Sequence, residues 1–226
     1  TEDNVGVGFE GLLRWEHPER GMVGPDVYVP VAEASNLVIQ LGEWALRRGC
    51  RDAVNWPKTV RLAVNVSAVQ FAHAGFPEMV EDALAESGLA PGRLELELTE
   101  SVFMGDSETV DQTFATLKSL GVRLALDDFG TGYSSLSYLS QLPVDKIKID
   151  QSFVQALPAP GSRAIIEAVT LMAQRLGMSL IAEGIETEDQ HRYLADIGCP
   201  VGQGYLFGRP ATADAIGMVP SGAVAA

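Results

Sequence analysis

The sequence predicts a parallel α/β fold, a TIM-like (β/α)8 barrel, and three observations predict it. Strand-like and helix-like segments alternate along the 226 residues, which requires helical crossovers between parallel strands. The length falls within the range of one such barrel. Apolar strand segments each end in a polar or charged residue: Leu62-Ala63-Val64 in Asn65, Leu94-Glu95-Leu96 in Glu97, Leu124-Ala125-Leu126 in the pair Asp127-Asp128, Ile147 in Lys148 and Leu180-Ile181-Ala182 in Glu183. Barrel enzymes carry their chemistry at the strand C-termini.

The elements follow in order. Val7 to Trp15 reads as the first strand. Val29 to Asn36 and Leu37 to Val54 read as helices, the second with apolar residues at helical spacing. Arg61 to Val66 is a strand, Pro77 to Ser87 a helix stopped by Gly88, and Leu94 to Leu98 a strand. A helix from Asp106 ends near Gly121, and strands follow at Val122 to Leu126 and Lys146 to Ile149. Ser162 to Leu176 is a helix ended by Gly177, Met178 to Ala182 a strand, and Thr187 to Ile197 a helix opened by Thr-Glu-Asp. A last short strand is expected near Gly202 to Leu206. That makes seven strands, and the eighth is expected before Thr1. No internal linker interrupts the series, so residues 1–220 read as one domain and the small residues 221–226 as a flexible tail.

The formal net charge of −14 removes any general attraction to DNA, RNA or anionic lipid. No apolar run approaches a membrane span and no secretory leader opens the chain, so the segment is expected in the cytoplasm, off the membrane. Cys50 and Cys199 have no metal-ligand spacing. A reduced setting fits them best, with a disulfide as the alternative.

The residues themselves suggest a metal centre. Two adjacent carboxylates cost too much to bury without partners, so a strand presenting both Asp127 and Asp128 suits a divalent cation. Glu10, Asn65, Glu97, Asp127 and Asp128 form an almost all-oxygen set, which favours magnesium or manganese. Two such ions about 3.5–4 Å apart could share one aspartate and activate a bridging water. Each acid taken singly also reads as a helix cap or a solvated strand end. Lys148 could hold the attacking water or neutralise a phosphate oxygen; a structural ion pair is the other reading. Glu183 could bind metal or orient a water. Arg14, four residues after Glu10, shares its face on the strand and could clamp a phosphate, or form a surface ion pair. Gln203, in Gln-Gly-Tyr-Leu-Phe-Gly, offers an amide for a base edge or a water. Phe129 to Tyr138 reads as a glycine- and serine-rich loop beside the aspartates, with Ser134 capping a short helix, and is either a gate for metal or an ordinary turn.

Taken in order, Glu10-Gly11-Leu12-Leu13-Arg14-Trp15, Asn65-Val66-Ser67, Glu97-Leu98-Thr99-Glu100, Asp127-Asp128-Phe129-Gly130-Thr131-Gly132, Lys148-Ile149-Asp150, Ala182-Glu183-Gly184-Ile185-Glu186 and Gln203-Gly204-Tyr205 resemble the motif series of EAL domains, the bacterial cyclic di-GMP phosphodiesterases. The likeness runs from about Val7 to Pro210. It implies an EAL-type barrel, whose first strand is antiparallel, and two magnesium or manganese ions that open cyclic di-GMP to linear pGpG. By the same resemblance Glu10, Asn65, Glu97 and Asp127 bind metal, Asp128 holds the second ion, Lys148 positions the water and Glu183 completes the metal shell. Arg14, Leu12, Gln203 and Glu186 would serve the substrate, Gln203 through a water near the metals. Glu100 would anchor the loop from Phe129, which in the family is linked to dimer contacts, so a homodimer is expected. An upstream sensor domain is a further expectation for the full-length protein. Calcium, with longer bonds and irregular geometry, is expected to inhibit. Gly11 stands where the family has alanine, and the antiparallel first strand is expected in residues trimmed from before Thr1. An inactive EAL module that binds cyclic di-GMP or a protein, and an unrelated metal-dependent barrel enzyme, are the competing readings.

Overall fold

The computed structural model describes residues 8–104, 107–130 and 142–212. Within them the chain forms two compact units, Glu10–Arg123 and a second made of the residues from Leu124 onward together with Gly8 and Phe9.

The first unit takes the second half of β1 (Gly8–Gly11), whose Gly8 and Phe9 are counted with the other unit. A hairpin of β2 (Trp15–His17) and β3 (Gly21–Val23) follows, paired antiparallel with Trp15 opposite Val23. Next come α1 (Pro25–Ala34), α2 (Leu37–Ala53), β4 (Arg61–Val66), α3 (Ala68–Phe71), α4 (Phe76–Ser87), β5 (Leu94–Thr99) and α5 (Ser107–Leu120). Strand order is β1-β4-β5, with β4 and β5 parallel. The helices bury the stripes their periodicity dictates: Val38, Gly42, Leu46, Cys50 and Ala53 on α2 recur every three or four residues. The side chains of Val110, Phe114 and Leu117 do the same on α5, with Phe114 against Phe71 at 4.7 Å between ring centroids. Leu62, Val64 and Val66 alternate into the core from β4, as Leu94, Leu96 and Leu98 do from β5. The opposite faces of those strands are left to Asn65, Glu95 and Glu97.

The second unit contains β6 (Arg123–Phe129, entering one residue early), β7 (Lys146–Ile149), α6 (Gln151–Gln155), α7 (Pro160–Leu176), β8 (Ser179–Ala182) and α8 (Glu188–Asp196). Its strand order is β6-β7-β8, all parallel. Gly177 ends α7 at φ +71°, and a capping box of Thr187 and Gln190 opens α8, both at the ends their residue types mark in the sequence.

Two expected elements differ. The strand expected over Val7 to Trp15 stops at Gly11, because the chain turns there into the β2–β3 hairpin. Tyr28 fastens that turn: its hydroxyl donates to the Leu13 carbonyl at 3.3 Å and its ring meets Trp15 edge-on. The strand expected near Gly202 to Leu206 is one parallel bridge, Ala182 to Gly202, followed by a turn. Gly204 permits the turn to lie this close, since a Cβ there would lie 2.2 Å from the Ile185 carbonyl oxygen. The helix start expected at Asp106, the loop expected beyond Gly130 with Ser134, and the tail expected at 221–226 lie outside the described residues. Among the described residues no helix is long and apolar enough to cross a membrane. Both cysteines are free and buried, and burial pushes the Cys50 thiol up to about 11 and the Cys199 thiol up to about 12. Neither is a reactive thiolate at neutral pH.

Candidate active site

In the first unit the site residues stand at strand ends. Asn65 and Glu97 are register partners on β4 and β5, so their side chains project side by side from one face. The Asn65 side-chain amide donates to the Glu10 carboxylate on β1. Glu97 is 3% exposed. An amide and two carboxylates therefore gather at the C-terminal ends of three neighbouring strands. Gly11, next to Glu10, has ordinary space where a Cβ would be: the nearest atoms are the Ala63 oxygen at 3.5 Å and Leu62 Cδ1 at 3.6 Å. Alanine would fit there, so this glycine is not demanded by packing.

Arg14 does not share a strand face with Glu10. The strand has ended, Arg14 is exposed, and its guanidinium donates to the neighbouring Leu13 carbonyl at 2.9 Å. Leu12 is also exposed, in the same turn. Glu100 opens a short 3₁₀ turn, Glu100–Met104, directly after β5.

The second unit holds a denser cluster. Adjacent residues of a regular strand point to opposite faces. Here the β6–β7 register shifts between Leu126 and Phe129, and Asp128 takes φ +51°. This bulge turns the strand locally and brings both carboxylates to one group. Oxygens of Asp127, Asp128 and Glu183 all lie within 4.8 Å of one another. Lys148, 1% exposed on β7, places Nζ 3.0 Å from Asp127 Oδ1 and 2.6 Å from Glu183 Oε1. Desolvation, then the negative charges of Asp127 and Asp150, push the Asp128 carboxyl up to about 6. A carboxyl so raised wants a cation.

The donors fit a hard divalent ion. All are oxygens, and a magnesium with bonds of about 2.1 Å spans trans ligands about 4.2 Å apart, a separation inside the 4.8 Å within which the trio's oxygens lie. Lys148 neutralises part of the charge; one ammonium among Asp127, Asp128 and Glu183 leaves room for more.

Asp150 is the residue sequence reading left unassigned. It caps α6 by accepting from the Ser152 backbone at 3.0 Å and from the Ser152 hydroxyl, while also hydrogen-bonding Asp128. Its signal was visible: it follows Lys148 by two residues, the spacing that returns to the same strand face. Gln203 is tied by its backbone to Ala182 and Ile185, on either side of Glu183. Its N–H donates to the Ala182 carbonyl at 2.8 Å and its carbonyl accepts from Ile185 at 3.0 Å. Glu186 is exposed, with its N–H held by Gln190 at 2.9 Å.

Parallel strands end in carboxylates and an amide in the first unit and in carboxylates and a buried lysine in the second, where the carboxylate cluster could hold a metal ion. The model of the family described as EAL domain matches residues 1–210. The chain belongs to that family, and its fold class is the TIM-like (β/α)8 fold of EAL type. It is 48% identical over 217 residues to an uncharacterised signalling protein of Caulobacter vibrioides, covering 96% of this chain and 27% of the relative. It is 42% identical over 213 residues to the bifunctional diguanylate cyclase/cyclic di-GMP phosphodiesterase MucR of Pseudomonas aeruginosa, covering 92% of this chain and 31% of that protein. The solved PaMucR phosphodiesterase in complex with c-di-GMP superposes with TM-score 0.87 at 41% identity, over 93% of this chain and 87% of that one. The chain thus spans about a third or less of the length of these curated relatives.

Proposed function

We propose that this chain hydrolyses cyclic di-GMP to linear pGpG as a divalent-metal phosphodiesterase. The observation that carries the reading is the Asp127–Asp128–Glu183 oxygen trio with Lys148 buried against two of its members. The relatives named above supply the substrate: one is named a cyclic di-GMP phosphodiesterase and the solved neighbour holds c-di-GMP.

In this reading Glu10, Asn65, Glu97, Asp127, Asp128 and Glu183 are the ligands of two magnesium or manganese ions. Bound there, such ions lower the pKa of water and neutralise the phosphodiester. The residues of the chain do the rest. The Asn65 amide fixes the Glu10 carboxylate. Lys148 holds Asp127 and Glu183 in place and directs an N–H at the water or at phosphate oxygen as negative charge grows there. The water oxygen forms a new P–O bond, one ester P–O bond breaks, and the proton ends on the released sugar hydroxyl. Arg14 and Leu12, in the exposed turn after β1, and Gln203 and Glu186, after β8, would hold the substrate. Glu100 would anchor the loop from Phe129. A homodimer, an upstream sensor domain and a cytoplasmic setting complete the proposal.

The test separates catalysis from binding. Calorimetry with c-di-GMP in calcium reads affinity, and chromatography after incubation in magnesium reads hydrolysis. Hydrolysis supports the enzyme; binding without hydrolysis makes the chain a receptor; neither overturns the substrate.

A further inference from the structure

Glu183 follows β8 directly, and the chain around it is tied down at separate points. Its own N–H donates to the Ile149 carbonyl of β7 at 3.1 Å. Gly184 takes φ +70°, and a Cβ there would lie 2.6 Å from Gln151 Cβ, so the first residue of α6 packs directly on it. Two residues on, the Gln190 side chain takes hold. Its Oε1 accepts from the Glu186 N–H at 2.9 Å and from the Thr187 N–H at 3.0 Å, while its Nε2 donates to the Val154 carbonyl at 3.1 Å.

A capping box needs only part of this. Gln190 is the third residue of α8, and its bond to the Thr187 N–H completes that motif. The bonds to Glu186 and Val154 are additional, and they reach off the helix. Val154 lies in the last turn of α6, where carbonyls lack partners within the helix. Gln190 therefore joins the segment that follows Glu183 to the helix that follows Lys148. The other end of α6 is capped by Asp150, which also bonds Asp128. We propose that Gln190 is a positioning residue for Glu183: through α6 it fixes residues 183–187 so that the Glu183 carboxylate stays within reach of Asp127, Asp128 and Lys148. It touches no reacting atom. The proposal rests on the phosphodiesterase reading for what Glu183 does there. Loss of a partner that orients a metal ligand costs about tenfold or more in metal affinity or activity.

Two variants separate positioning from helix capping. Gln190→Glu keeps an acceptor for Glu186 and Thr187 and is a regular capping-box residue, so α8 is retained, but a carboxylate cannot donate to Val154. Thr187→Ala removes the oxygen that accepts from the Gln190 N–H at 3.3 Å and leaves the Gln190 side-chain bonds in place. Calorimetric titration with manganese, without nucleotide, should show about tenfold weaker binding in Gln190→Glu and wild-type binding in Thr187→Ala. The magnesium concentration for half-maximal turnover should rise by the same factor in Gln190→Glu, with KM for cyclic di-GMP at saturating magnesium nearly unchanged. Thr187→Ala should melt lower and turn over normally. Wild-type manganese affinity in Gln190→Glu overturns the proposal. So does a change confined to KM, which would place the effect at Glu186, and so do losses that follow melting temperature across both variants, which would make Gln190 a cap only. Wild-type protein that binds manganese without hydrolysing cyclic di-GMP overturns the phosphodiesterase reading alone, and the manganese affinity ratio still decides the positioning; wild-type protein that binds no manganese overturns both.

Discussion

Replacing Lys148 with methionine keeps the volume of the buried stem and removes the charge. The ammonium lies 3.0 Å from Asp127 and 2.6 Å from Glu183, with Lys148 1% and Asp127 7% exposed. Breaking a buried pair by deleting one partner costs about 3–5 kcal/mol, because the remaining charge stays buried without compensation. In a domain of this size each kcal/mol moves the melting temperature about 2–4 °C, so Lys148→Met should melt roughly 10 °C below wild type in EDTA. Magnesium should close most of that gap by supplying the missing positive charge to the same carboxylates. Differential scanning calorimetry in EDTA and in magnesium chloride measures both. Turnover should be lost in magnesium while c-di-GMP affinity in calcium persists, since a group that meets charge developing in the transition state raises turnover more than ground-state binding. Equal melting of variant and wild type in EDTA would refute the argument that Lys148 compensates buried carboxylates. Affinity falling as steeply as turnover would make Lys148 a substrate-binding residue.

Other outcomes follow from the same geometry. Glu10→Ala should abolish hydrolysis with an unchanged circular dichroism spectrum; near-normal turnover would remove Glu10 from the site. Magnesium and manganese should support turnover and calcium inhibit it, as an ion tolerant of irregular geometry fills the oxygen site without aligning the attack; equal initial rates in calcium and magnesium would contradict this. The folded pKa of Asp128, about 6, lies above its ordinary value of 3.8, so without metal this group makes folding less favourable as pH rises from about 4 to 6. Metal needs the ionised form, so the melting-temperature gain on adding magnesium should be larger at pH 7.5 than at pH 5, and Asp128→Asn should flatten that difference. Gly204→Ala places a methyl 2.2 Å from the Ile185 oxygen at φ +154°, and should cost more than about 2 kcal/mol in urea titration, with kcat/KM falling as Gln203 shifts; unchanged stability would mean the turn can move freely.

Where side chains alternate strictly, the sequence was readable. On β4 and β5 the period of two puts Leu62, Val64, Leu94 and Leu96 in the core and leaves Asn65 and Glu97 on the other face, so that these two polar residues share a face could be read in advance. The long helices α2 and α7 were legible for the same reason, through periodic burial and, for α7, a left-handed glycine at its end. The β2–β3 hairpin was missed because three-residue strands carrying exposed Trp15 and Met22 have no apolar alternation to see. That miss extended the first strand and misplaced Arg14. The bulge at Asp127–Asp128 was invisible too: nothing in an Asp-Asp pair announces that the second takes positive φ, yet this is what lets neighbours on one strand act together. Asp150 was passed over because its capping bond to Ser152 is ordinary, and only packing brings it to Asp128.

The most direct measurement is the product of incubating the wild-type chain with cyclic di-GMP. In magnesium, chromatography should show the cyclic dinucleotide replaced by one linear product, pGpG, at a rate that EDTA abolishes and Glu10→Ala does not support. Intact cyclic di-GMP after prolonged incubation with magnesium or manganese, from protein that is folded, would contradict the account.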